Sequence, residues 1–364
     1  MQMHSIVIGA GISGMMSARE LLLAGARVTI IERQQAGRES SWAGGGIISP
    51  LYPWRYSDAV NLLASSSQQA YPALAAQLVE STGIDPEYLR SGLLILAPDE
   101  TREAQNWAQK WQVDLQQLDR QQMHDIEATL KSPVDEALWL PQVAQVRNPR
   151  FMKALHKELE NLGANFILQS PVTGFDHQGA NITAVKTAER NYRAENIILC
   201  SGAWTAEMLR DSMPQPKIEP VRGQMLLFKT KPGTVKRITL SDSHYTVPRR
   251  DGRVLFGSTI EHTGFIKETT SEAGKLLRQC AIELYPQLAD YPIEHHWAGL
   301  RPGSPGGVPY ICRHPDYENL FINAGHYRNG VVLAPASAKL VADMVLARKP
   351  EIDPAPYAFD AARN

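Results

Sequence analysis

Apolar and polar positions along the chain fall into runs of two kinds, and the first thirty residues show both. Ile6, Val7 and Ile8 form a short continuous apolar run, a helical stretch extends through Leu23, and Val28, Thr29, Ile30 and Ile31 form a second run. That order predicts strand, helix, strand. Residues 58–82 predict a long helix, with Leu62, Leu63, Leu74 and Leu78 at helical spacing and Gly83 as its stop. A short strand is expected over 92–97 and an amphipathic helix over 101–111. Asn148 is expected to cap a helix with Pro149 in its first turn, a core face of Phe151, Leu155, Leu159 and Leu162, and an end at Gly163. Residues 166–169, 182–187 and 197–200 predict the three strands of a meander, closed by Ser201, Gly202, Ala203 and Trp204. Residues 221–229, 238–249 and 253–260 predict antiparallel strands, the last two joined at Asp251-Gly252, a hairpin dipeptide. A helix over 271–285, a strand over 320–323 and a helix over 331–347 complete the pattern.

The first turn carries chemistry. Gly9, Gly11 and Gly14 spell G-x-G-x-x-G between a strand and a helix, and Glu32 stands eighteen residues past Gly14. In such a unit Gly9 makes the tight turn, Gly11 admits a pyrophosphate to the backbone, and Gly14 lets helix and strand pack closely. The helix N-terminus then faces the phosphates and the acidic residue accepts from a ribose hydroxyl. The loop over 36–50, with Ser40, Ser41 and the run Gly44, Gly45, Gly46, suits close approach of a planar or phosphorylated ligand, or else is a flexible linker.

Composition narrows the partner. The 364 residues hold 37 Lys and Arg against 38 Asp and Glu, so no net field favours nucleic acid or an acidic membrane. The three cysteines, Cys200, Cys280 and Cys312, form no C-x-x-C and suggest neither a disulfide framework nor a zinc ribbon. The histidines show no metal spacing, and no metal is expected. The first strand starts too early for a secretory leader, no apolar run reaches the ~18 residues of a membrane span, and no S-K-L address is present. A cytoplasmic protein acting on a small molecule is the expectation.

A single G-x-G-x-x-G leaves no second dinucleotide unit for a nicotinamide that would feed a flavin. The C-terminal strand, Gly325 to Gly330 turn and helix suit FAD bound across the chain, with electrons arriving from the substrate. The helix start would stabilise an anionic reduced flavin through the backbone of residues 329–332, unless the helix merely packs. The expected fold is α/β. A Rossmann-like FAD-binding domain is assembled from 1–84, 145–220 and 297–364, and a mainly antiparallel β-sheet substrate domain with flanking helices comes from 85–144 and 221–296.

The segments G-A-G-I-S-G, Y-T-V-P-R (245–249), W-A-G-L-R-P (297–302) and A-G-H-Y-R-N-G-V-V-L-A-P (324–335) occur in one order along essentially the whole chain. They resemble the D-amino acid oxidase superfamily and, within it, the bacterial glycine oxidases of thiamine biosynthesis. The resemblance implies non-covalent FAD and oxidation of glycine, with sarcosine and small D-amino acids, to an imine that yields glyoxylate and ammonia or enters thiazole assembly. Molecular oxygen would reoxidise the flavin to give hydrogen peroxide, and the assembly would be a homotetramer. A dehydrogenase passing electrons to a quinone, or a flavin protein without turnover, are the competing readings.

By the same resemblance, Arg301 binds the substrate carboxylate, with Tyr245 and Arg328 beside it. From the residues alone Arg301 could instead serve a structural ion pair, Tyr245 the core edge and Arg328 a strand cap. Flavin contacts would fall on Gly9, Gly11, Ile12, Ser13, Gly14, Glu32 and Arg33, then on Glu39, Ser40, Gly44, Gly45 and Gly46. Further along they would fall on Val172 and Gly202, and finally on His326, Tyr327, Arg328, Asn329, Gly330, Val331 and Val332. No residue is expected to act as acid or base, because the amine lone pair drives the hydride out. Trp42, Ile48 and Ile260 depart from relatives and are expected to reshape the pocket.

Overall fold

A computed structural model describes residues 2–210 and 213–363. The predicted opening unit is present as β1 (His4–Ile8), α1 (Ile12–Leu23) and β2 (Arg27–Ile31). β1 lies inside a six-stranded sheet. β2 and Asn165–Ile167 follow on one side; Asn196–Leu199, Leu320–Ala324 and Tyr310–Arg313 follow on the other. All pairs are parallel except the last. The strand order reverses direction between β1 and Asn196–Leu199, which opens a crevice at the carboxyl ends of these two strands.

Both faces of this sheet are covered, which explains why its central strands read as unbroken apolar runs. One face packs against α1 and the helices Asp58–Thr82, Asn148–Asn161 and Gly330–Val345, around fully buried Met15, Tyr71, Phe151 and Leu333. The other carries the three-stranded antiparallel sheet Val172–Gln178, Asn181–Thr187 and Asn191–Tyr192.

The expected meander does not form. Asn165–Ile167 and Asn196–Leu199 both enter the parallel sheet, and only the middle strand joins an antiparallel one. Ile197, Ile198 and Leu199 are buried on both faces, a requirement that only the covered sheet meets. Asn148 opens its helix but does not cap it. Its side chain turns inward to donate from Nδ2 to the Ser41 carbonyl at 2.7 Å, and Arg147 holds the cap position. Leu162, expected on a core face, is exposed, as is Leu62, one of the apolar residues at helical spacing in the long helix. Gly83 does end the long helix, at φ +71°.

A second sheet has eight strands, in the order Ile293–Gly303, Glu219–Phe228, Val254–Gly257, His244–Pro248, Ile238–Ser241, Leu93–Leu96, Glu136–Leu140 and Gln116–Asp119. Only the pair Ile238–Ser241 and Leu93–Leu96 is parallel. The run 238–249 is two strands, because the chain reverses at Asp242, whose φ is +49°. Asp251-Gly252 makes the expected hairpin turn, with Gly252 at φ +90°. No helix among the described residues is long and apolar enough to cross a membrane.

Candidate functional site

A cleft of about 1550 Å³, counting its open mouth, runs from the carboxyl ends of β1 and β2 to the eight-stranded sheet. At its first end the glycine turn does what its spacing requires. Gly9 has φ +104°, and a Cβ there would stand 2.5 Å from the Cys200 carbonyl oxygen. A Cβ on Gly14 would stand 1.9 Å from the Gly9 oxygen, so only glycine lets α1 start this close to β1. Gly11 supplies no side-chain cap to α1. Ser41 Oγ accepts from the Ile12 N–H at 2.9 Å, and the next N–H groups of the first turn have no intrahelical acceptor.

Glu32 is buried at the end of β2. Its two carboxylate oxygens accept from the N–H of Ala10 at 2.8 Å and of Gln34 at 2.9 Å. Those bonds aim the carboxylate beside the glycine turn and leave lone pairs for a hydroxyl donor. Arg33 lies 3.5 Å over the Trp204 ring, and the two Glu39 oxygens pair with Arg33 and Lys267, each at 2.8 Å.

The glycine run bridges the two ends. Gly46, at φ +74°, lies against the Val146 carbonyl, and Gly45 lies under the Tyr245 ring, where a Cβ would be 2.7 Å from Cε2. Tyr245 and Met225 both pair with Gly257, one from each side, and the absent Cβ lets the Tyr245 hydroxyl reach Met225 Sδ at 3.4 Å.

Arg301 stands on Ile293–Gly303 opposite Val221. Its Nη1 donates to the carbonyls of Arg222 at 3.3 Å and Thr259 at 3.2 Å, and Nη2 donates to Ser258 Oγ at 2.5 Å. Its guanidinium occupies the space a Cβ on Gly223 would fill. No carboxylate pairs with it among the described residues. The carboxylate of Glu261 is engaged on the opposite sheet face, by Arg222, Gln224 and Thr259. Burial lowers the Arg301 pKa from the ordinary arginine value, and the Arg328 charge acts in the same direction.

Arg328 follows Tyr327, a left-handed residue at φ +46° whose N–H donates to the Pro302 carbonyl at 2.8 Å. Among the described residues Arg328 has no hydrogen bond or ion pair. It opens into the same cleft as Arg301 and Tyr245. His326 is buried between Ser13 Oγ at 3.4 Å and Ser337 Oγ at 3.1 Å, joining α1 to the last helix. Burial pushes its pKa down to about 4, so the ring is neutral near pH 7.

The remaining expected contacts divide. Gly11, Ile12, Ser13, Arg33, Glu39, Ser40, Gly44, Val172, Gly202, Tyr327, Gly330 and Val331 line the cleft. Gly14, Asn329 and Val332 do not: Gly14 is spent on packing, Asn329 is the N-cap of Gly330–Val345, and Val332 is buried in the core. Trp42, Ile48 and Ile260 also lie outside the lining; Trp42 packs edge-on against Trp297. Ser41, in the loop expected to approach a ligand, lines it too, as do Cys200, Gly223, Met225 and Asn323, which the sequence did not point to as contacts. A glycine inside a strand, as at Gly223, was the one available signal.

These residues fit FAD. The glycine cradle, the buried Glu32, the glycine run and the helix start at Gly330 match a dinucleotide and a flat ring. Asn323 Oδ1, at the cleft wall, is buried with no partner among the described residues, as a polar ligand site would leave it.

The sequence pattern of the family described as FAD dependent oxidoreductase (DAO) matches residues 4–344. The chain is 47% identical to a glycine oxidase from Pseudomonas aeruginosa, over 97% of each chain. It is 32% identical to a bifunctional protein ThiO/ThiG from Trichormus variabilis, over 94% of this chain and 53% of that protein. The crystal structure of glycine oxidase from Geobacillus kaustophilus superposes with a TM-score of 0.93 at 26% identity, covering 99% of this chain and 100% of the other.

Proposed function

This chain belongs to the DAO family of FAD-dependent oxidoreductases, and from that premise we propose that it is a glycine oxidase, with sarcosine and small D-amino acids as further substrates. The observation that carries the proposal is Arg301: a half-buried guanidinium lining the cleft, with no carboxylate partner among the described residues and Tyr245 beside it. Such a charge is costly to bury alone, and a substrate carboxylate would satisfy its fork with two parallel charge-assisted bonds.

Arg301 and Tyr245 would hold the carboxylate and so fix which way Cα faces. Arg301 and Arg328, two positive charges next to the amine, disfavour its ammonium form and favour the neutral amine, whose lone pair forms the C=N bond as Cα–H breaks. No side-chain base is needed for that step, and His326, locked between two serines, is not placed to be one. The segment Gly9–Gly14, Glu32, the run Gly44–Gly46 and the turn 326–331 would hold FAD, which would supply the two-electron acceptor, with oxygen as terminal oxidant and hydrogen peroxide as product. The binding would be non-covalent. The FAD domain would comprise 1–84, 145–220 and 297–364, and the substrate domain 85–144 and 221–296. The kinship with a ThiO/ThiG protein supports a role in supplying the glycine imine for thiamine.

The test is anaerobic addition of glycine to the yellow protein. Bleaching of the flavin absorbance, followed on aeration by one peroxide per glyoxylate, is expected. A flavin that stays oxidised under glycine, sarcosine and D-alanine alike overturns the proposal, and bleaching without peroxide points to a quinone as acceptor.

A further inference from the structure

Arg249 lies immediately after the strand His244–Pro248, two residues past Val247 and four past Tyr245, on the same sheet face as both. It is 8% exposed, yet no carboxylate among the described residues bonds to it. Nη1 donates to Gln145 Oε1 at 2.7 Å and to the Val146 carbonyl at 2.9 Å, and Nη2 donates to the Gly45 carbonyl at 2.9 Å. The charges near it are already paired: Asp251 with Arg147 and Arg253, and Glu87 with Arg147 and Arg150. Burial pushes the Arg249 pKa down to about 10, which still leaves it charged at neutral pH.

Gly45 is thus held from two directions by one strand. The Arg249 guanidinium grips its carbonyl and the Tyr245 ring covers its Cα. Val146 closes the arrangement, donating its N–H to the Gly46 carbonyl at 2.8 Å while its own carbonyl takes a bond from Arg249. Three acceptors on two chain segments converge on one planar donor, which a lysine ammonium cannot replace with the same geometry.

We propose that Arg249 is a positioning residue that locks the glycine run 44–46 to the substrate strand, so that cofactor binding and carboxylate binding are energetically coupled. FAD seated against the glycine run would fix Gly45, hence Tyr245; loss of the clamp would loosen both. The cofactor half rests on the family, and the substrate half rests on the proposed role of Tyr245 and Arg301.

The experiment measures FAD dissociation and glycine KM in the full-length holoenzyme for wild type, Arg249→Met, Arg249→Lys and, as control, Arg250→Gln. Arg250 is exposed and pairs with Asp85 at 2.6 Å on the outside. Arg249→Met is expected to weaken FAD by tenfold or more and to raise KM several-fold at near-constant kcat. Arg249→Lys should fall between, and Arg250→Gln should change neither. A purely structural role would lower the melting temperature while leaving both affinities alike, and that result overturns the proposal. A shift in FAD affinity with unchanged KM overturns the coupling. If Arg249→Met does not fold, Arg249→Lys carries the test with the same two readouts. The reading of the substrate site fails separately, if Arg301→Ala leaves glycine affinity unchanged, and the FAD arm still reports on Arg249.

Discussion

Gly223→Ala tests the position of the Arg301 fork without removing its charge. Gly223 sits in the strand Glu219–Phe228, directly over the guanidinium, and its φ is not positive, so alanine suits the backbone. A Cβ there would lie 2.1 Å from Nη2 and 2.3 Å from both Cζ and Nη1 of Arg301. To regain ordinary contact near 3.4 Å, the guanidinium has to retreat by about 1.3 Å. Such a retreat strains or breaks its bonds to the Arg222 and Thr259 carbonyls, at 3.3 and 3.2 Å, and to Ser258 Oγ at 2.5 Å. A displacement of about 1 Å in a positioning group costs roughly 100-fold in rate, so kcat/KM for glycine should fall by about that factor. The assay is peroxide-coupled steady-state kinetics, with a parallel titration of the flavin absorbance by acetate, a carboxylate that cannot be oxidised. Acetate should weaken in step with KM. A variant whose kcat/KM and acetate affinity stay within about threefold of wild type refutes the idea that the fork position sets substrate binding.

Removing the charge itself should be read in binding: Arg301→Ala keeps FAD but loses about 1.5–3 kcal/mol of amino-acid affinity, and Arg301→Lys is also poor, as measured by KM and acetate titration. Gly14→Ala forces a Cβ to within 1.9 Å of the Gly9 oxygen, a backbone atom that cannot swing away. FAD affinity measured by fluorescence on dilution should therefore drop at least about tenfold, as α1 is pushed off β1. His326 predicts an acid limb in stability. Its folded pKa of about 4 lies below the ordinary 6.5, so the unfolded chain binds the extra proton between these values. Stability is then full above pH 6.5 and falls as pH drops towards 4, by up to about 3 kcal/mol from this group. His326→Asn should flatten that dependence in urea unfolding of the FAD-saturated protein between pH 5 and 7, and an unchanged slope would remove His326 as its source.

Much of this site was legible along the chain because its requirements are local. Gly9, Gly11, Gly14 and Glu32 lie within one strand-helix-strand unit, where steric demands on a turn and the reach of a carboxylate are set over a few residues. Gly83 ending its helix and Asp251-Gly252 turning its hairpin were equally readable, since a positive φ selects glycine wherever it occurs. Tertiary structure decided what depends on neighbours far along the chain. The strands at 165–167 and 196–199 read like members of a meander, and only the helices and the small sheet covering both faces make the parallel sheet their better burial. Asn148 looks like a helix cap until Ser41 is placed within reach of its amide. Arg301 could not be told from a structural ion-pair arginine until Glu261 was found engaged by Arg222 on the opposite face. Nothing local assigns a role to Gly223 or Arg249: one matters because a guanidinium from a neighbouring strand fills its missing side chain, the other because three acceptors distant in sequence meet at its fork.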